Sequence, residues 1–285
     1  MDFIAGDRVR HPTLPAWGLG EVLEVGERGR IRVFFTGVGE KRLVMPHVKL
    51  EAITGEDAEH EGLDNLRTTP ANKRIEYRNM ETLIAAFLAE WPGGFEDPAY
   101  LEKERAPKEE AAAYIAEHLS RPAIDAYLAE HAFAEMSKRL LAAAGKTNLV
   151  YPNEKQALKQ GLADEHNAKL FAERFKSLLY GKRSHQARFK DFIECLDRMR
   201  APKWPLATYY QFLSEPESHM ILKPRFTQQA ADSCRFEIEY DAFPNWQTYA
   251  GLQRLAHYLS HCLVELKPKD MFDIQAFIWK TAQDS

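Results

Sequence analysis

Long apolar runs are missing from this chain. No stretch approaches the ~20 residues that a membrane-spanning helix needs, so no membrane partner is expected. Cysteine is scarce, 3 in 285 residues. Cys195, Cys234 and Cys262 are odd in number and lack paired spacing. That argues against a disulfide framework and against a cysteine-built zinc site. The phosphate-cradling Gly-x-x-x-x-Gly-Lys-Ser/Thr loop is absent, as are the Gly-x-Ser-x-Gly elbow and any Cys–His nucleophile signature. The first residues, Met1-Asp2-Phe3-Ile4, carry neither the basic start nor the apolar stretch of a secretion signal. A cytoplasmic protein with reduced thiols is the expectation. A strong charge of either sign is missing too. The net charge is −4, too near neutrality for the whole surface to bind nucleic acid by charge alone.

What is present changes character along the chain. Residues 7–53 alternate at period two, with Ile31, Val33 and Phe35 on one register and Arg30, Arg32 and Phe34 on the other. Glycines at 26, 29, 37 and 39 punctuate the alternation. Short antiparallel strands with tight turns follow from that pattern. Five strands in about fifty residues are expected to curl into a small SH3/tudor-like barrel, because a flat open sheet of that size leaves unpaired edges. Residues 54–66 carry five acids and no Lys or Arg, and residues 54–79 are expected to form an acidic-to-basic, mobile linker. From Met80 the period becomes helical, with Leu83, Ile84, Phe87, Leu88 and Trp91 on one face. Asn153 is expected to cap one long helix that runs to Tyr180, and Trp246–Leu266 and Asp270–Ala282 to close the chain as helices. The fold class is therefore α+β: a barrel at 1–53, a linker at 54–79 and a mostly α-helical domain at 80–285.

The N-terminal motifs are Gly6-Asp7-Arg8-Val9-Arg10-His11, Gly18-Leu19-Gly20-Glu21-Val22, Gly39-Glu40-Lys41-Arg42-Leu43 and Leu50-Glu51-Ala52-Ile53. Together they resemble the tudor-like domain at the C-terminus of UvrD/PcrA-type DNA helicases and the short uncharacterised bacterial domain family related to it. The resemblance spans about residues 3–53. It implies a protein-interaction barrel, which in those helicases contacts RNA polymerase, with duplex DNA as another target. Trp17 stands where the helicases usually carry Phe, and no helicase motor accompanies the module. The closing segment from Trp246 to Trp279 is similar to the end of an uncharacterised bacterial helical domain, for which no activity is implied.

On the barrel, Arg30, Arg32, Phe34, Lys41, Arg42 and Trp17 form the expected partner-binding set, since an aromatic ring among cations is what a small interface hot spot uses. Packing of Phe34 under the helical part, and of Trp17 as a lid on the core, are the structural alternatives. Residues 174–203 carry nine cations against three acids. Lys176, Lys182, Arg183, Arg188 and Lys190 are the nucleic-acid candidates there, with Tyr180, Phe189 and Phe192 interleaved. The leading expectation is a non-enzymatic bacterial adaptor that docks on a transcription or DNA-maintenance complex through RNA polymerase or DNA. No catalytic residue, metal ligand or cofactor is assigned, and the oligomeric state is left open. The alternative is a metal-dependent nuclease or phosphodiesterase in the helical domain. Its candidates are His257 and His261, one helical turn apart, and the acids Asp232, Glu237, Glu239 and Asp241.

Overall fold

A computed structural model describes residues 3–45, 48–68 and 77–283 of the chain. The expected linker's residues 69–76 lie outside the described residues. The chain divides into two compact units. One comprises Met1–Ala86 with Gln229–Glu237, and the other Phe87–Gln228 with Ile238–Asp284.

The first unit is built on an antiparallel sheet of five strands: β1 (Arg8–Arg10), β2 (Leu19–Val25), β3 (Arg30–Phe35), β4 (Gly39–Val44) and β5 (Glu51–Ile53). Their order across the sheet is β4-β3-β2-β1-β5. The register sets Val22 opposite Val33, Ile31 opposite Leu43 and Phe34 opposite Glu40. Side chains of one register converge on a core of Phe3, Val9, Val22, Ile31, Val33, Phe35 and Leu50. This is what alternation produces when one register faces a common core. Gly20 lies opposite Phe35, and a Cβ there would stand 2.6 Å from the Phe35 ring. The missing side chain gives that ring its place.

The stretch expected to be a linker folds back onto the sheet in its described part. A 3₁₀ turn over Gly55–Ala58 leads to α1 (Glu61–Asp64), whose first turn is capped by His60 Nδ1 accepting from the Leu63 N–H at 3.3 Å. Leu63 is 2% exposed and packs with Leu19 and Phe34. Two leucines, Leu63 and Leu66, in an acidic run leave little periodic signal, yet they are enough to pin a short turn. Leu66 bridges to Phe236, Arg67 N–H donates to Arg235 O at 2.7 Å and Arg78 N–H to Ser233 O at 3.0 Å. The segment 233–237 is thereby tied to the sheet's own unit.

The remaining elements are helical: α2 (Met80–Glu90), α3 (Pro98–Tyr100), a π-turn over Leu101–Arg105, α4 (Ala106–His118), α5 (Arg121–Ala129), α6 (Phe133–Gly145) and α7 (Pro152–Leu162), then α8 (Glu165–Tyr180), α9 (His185–Arg198), α10 (Trp204–Ser214), α11 (Pro224–Cys234), α12 (Trp246–Cys262) and α13 (Met271–Gln283). The single helix expected from Asn153 to Tyr180 is two helices. Asp164 Oδ1 accepts from the Asn167 N–H at 2.9 Å and starts α8 afresh, as an N-cap does. In the second unit α10 is buried from Trp204 through Leu213, and its Tyr209 and Tyr210 hydroxyls donate to the carbonyls of Ala143 and Leu140. Asp273 is fully buried and takes hydrogen bonds from Tyr100 OH at 2.5 Å, Arg105 Nη1 at 2.8 Å and the Lys269 N–H at 2.7 Å. Arg105 also reaches Asp270 at 2.6 Å, so the buried charges are paired. Among the described residues no helix is long and apolar enough to cross a membrane.

Candidate partner-binding face

The outer face of the sheet carries the register that the core does not use. Arg30, Arg32 and Phe34 of β3 lie opposite Val44, Arg42 and Glu40 of β4. Phe34 is not an exposed anchor, contrary to expectation. It is 3% exposed, beneath the Tyr77 ring at 4.8 Å edge-to-face and the Arg235 guanidinium at 5.5 Å. Tyr77 is fixed in turn by its hydroxyl, which donates to Thr36 O. Alternation tells which way a side chain points; it does not tell whether that face meets water.

The cations of this face are mostly matched. Arg32 pairs with Glu24 at 2.7 Å and Glu40 at 2.9 Å. Arg8 pairs with Glu21 and, at 2.6 Å, with Asp64. Burial raises the Glu21 carboxyl above the ordinary carboxylate range even beside Arg8. Trp17 and Lys41 belong elsewhere. Trp17 is half-buried on Phe35, ring centroids 5.1 Å apart, with Lys41 Nζ 5.8 Å over its ring. They close the mouth of the core and do not extend the arginine face. What remains together is an open groove of about 690 Å³ whose lining includes Glu24, Glu27, Arg30, Arg32, Arg42 and Val44. It lies along β4, which ends the sheet on one side. Val44 and the neighbouring Val25 are 43% and 50% exposed.

The basic segment 174–203 is occupied with its own helices. Arg188 donates to Ser177 O at 3.3 Å, Arg183 O at 3.0 Å and Leu178 O, closing the C-terminal end of α8. Lys176 pairs with Asp125 at 2.5 Å, and Arg183 with Asp191 at 2.5 Å. Phe189 and Phe192 are fully buried and cannot stack on bases. Of the five candidates Lys182, Arg183 and Lys190 are exposed, as are Arg198, Arg200 and Lys203 of the same segment.

The acids that motivated a nuclease are likewise engaged. Asp232 and Glu237 pair with Arg67, and Glu239 lies 4.0 Å from Arg254. His257 and His261 face each other at 5.5 Å between ring centroids. Among the described residues no group of three or more His, Cys, Asp or Glu side chains could hold a metal ion.

Sequence reasoning missed a half-buried histidine pair. His185 and His219 rings lie 4.5 Å apart, walled by Trp246 and Tyr249. His185 Nε2 meets Gln211 Oε1 at 2.9 Å. Burial, with smaller contributions from His219 and Arg188, holds His185 down at about 4. Glu215 Oε2 lies 3.3 Å from His219 Nε2; burial, then the Arg188 charge, holds that ring at about 4 as well. The histidines are far apart in sequence and only α9 and the turn after α10 bring them together.

Residues 3–53 match the family model described as Protein of unknown function (DUF3553). No curated protein matches the chain, and no solved structure does.

Proposed function

We propose that this chain is a non-enzymatic adaptor of the bacterial cytoplasm, whose barrel docks on a protein of a transcription or DNA-maintenance complex. RNA polymerase is the partner to which the resemblance to UvrD/PcrA-type tudor-like domains points. The observation that supports this reading is the coincidence of Arg42 and exposed Val44 on the sheet-edge strand β4 with Arg30, opposite Val44 on β3. An edge strand accepts an extended segment by main-chain pairing, and flanking pockets select its side chains. The occupant is an extended protein segment carrying an acid beside an apolar residue. Glu24 and Glu27 share the groove with the arginines, so the cationic surplus is too small for a phosphate backbone.

The test is binding of the full chain to purified RNA polymerase, measured by biolayer interferometry. Arg42→Glu and Val44→Glu should each weaken binding about tenfold or more, the effect expected when an interface anchor is reversed or charged. Lys182→Glu, in the exposed turn between α8 and α9 of the other unit, should leave it unchanged. Equal binding by all three variants, or none by the parent chain, overturns the reading.

A further inference from the structure

Within the helical unit, a cleft of about 290 Å³ gathers Lys103, Lys108, Lys146 and Lys223 against the single carboxylate of Glu104. The π-turn and the start of α4 supply Lys103, Glu104 and Lys108. The turn between α6 and α7 supplies Lys146, and the start of α11 supplies Lys223 from just before its first residue. Phe226 and Trp279 contribute aromatic surface to the same walls. Four elements thus bring ammonium groups to one place.

Two of these lysines are where lysine is rarely found. Lys108 and Lys223 are 4% and 7% exposed, and burial lowers the pKa of both. Lys108 Nζ donates to Glu104 O at 2.8 Å and lies 3.5 Å from the Glu104 carboxylate. Lys223 Nζ donates to Leu149 O at 2.6 Å and lies 3.5 Å over the Tyr151 ring. Among the described residues no carboxylate forms an ion pair with it. Glu154, whose charge it feels, is engaged with the Tyr151 N–H at 2.7 Å. A buried ammonium group without a counter-ion is costly and marks a place for an anion. A second observation points the same way. Gln275 lines the cleft, is 5% exposed, and its Oε1 has no hydrogen-bond partner. Buried amide oxygens are almost always satisfied, so an orphan is expected to meet a donor on a ligand.

We propose that this lysine cleft binds a small phosphorylated molecule bearing a planar ring, of the nucleoside-phosphate class. Phosphate oxygens supply the counter-ion that Lys223 lacks and join Glu104 at Lys108, with Lys103 and Lys146 at the rim. The ring lies against Trp279 and Phe226, and a ring or ribose donor meets Gln275 Oε1. The cleft, about 290 Å³, stands at the small end of the sizes that ligand sites have, roughly 300–1,000 Å³. Nothing in this assignment depends on the barrel or its partner.

The probes are ADP, ribose 5-phosphate and inorganic diphosphate, titrated calorimetrically into the full chain. ADP should bind, and bind about tenfold tighter than either anion that lacks a base, since aromatic stacking on a base contributes that much. The exposed pair Lys103→Ala and Lys146→Ala, combined, should weaken ADP about tenfold or more with the thermal midpoint unchanged, as loss of charge-assisted hydrogen bonds requires. Gln275→Leu should weaken ADP while leaving diphosphate unaffected. Absence of ADP binding, or binding indifferent to the double lysine variant, overturns the proposal. Equal affinity for all three anions overturns the nucleoside assignment.

Discussion

Phe34 and Trp17 are both aromatic side chains of the first unit's sheet region, and packing gives them opposite consequences. Trp17 stays half-exposed at the mouth of the core, while Phe34 vanishes under Tyr77, Leu63 and Arg235. The register was legible, since alternation in β3 separates Ile31, Val33 and Phe35 from Arg30, Arg32 and Phe34. The cover was not, because it comes from residues that no local period connects to β3. Substitution separates the two readings of Phe34. Phe34→Ala should cost about 3–5 kcal/mol, the range for a fully packed aromatic. An exposed interface ring removed from the same strand would cost under about 0.5 kcal/mol. The measurement is the urea midpoint at unchanged slope, with Arg30→Ala as the exposed reference on the same register. A near-neutral Phe34→Ala would show that Tyr77 and Arg235 do not seal the ring.

Helix identity was legible from the 3.6 period, but boundaries and purposes were set by groups the period does not report. Asp164 divides a run that hydrophobicity alone reads as continuous. Arg188, read as a phosphate ligand, closes the end of α8 because the turn 181–184 brings α9 back alongside it. Gly251 is a further case. It sits inside α12, where glycine costs about 1 kcal/mol relative to alanine. A Cβ there would stand 2.5 Å from Ile238 O and 2.7 Å from Ile238 Cα. Those are backbone atoms and cannot swing aside, and Glu239 next to them already holds a left-handed φ of 49°. Thr248 secures the same segment, its hydroxyl donating to Glu239 O at 2.6 Å. Gly251→Ala should therefore destabilise by about 1–3 kcal/mol, the cost of overpacking. On an unobstructed helix it would stabilise by up to about 1 kcal/mol. The sign of the shift in denaturation midpoint decides between them, and a stabilised variant would mean that α12 does not lie against Ile238.

Acid sensitivity follows from where the second unit keeps its histidines. His185 and His219 are both held near 4 against an ordinary 6.5 by burial against Trp246 and Tyr249. A depressed histidine is neutral in the fold and protonates more readily once unfolded. Above about 6.5 neither state binds the proton and the pair has no effect on stability. Between about 6.5 and about 4 the unfolded chain takes up protons that the native chain refuses, so stability falls as pH falls. Below that window the native rings protonate too and the loss levels off. His60, lowered by burial, acts in the same direction, and Glu21, raised by burial, in the opposite one; ordinary carboxylates titrate mainly at lower pH. Thermal midpoints followed from neutral pH down to about 4 should show this decline. His185→Gln with His219→Gln should make it shallower, at some cost in stability at neutral pH, because glutamine carries no proton-linked charge but can still meet Gln211 and Tyr249. If the double variant keeps the parent's slope through that window, the two rings are solvated or already charged in the native state, and the aromatic wall around them does not exclude water.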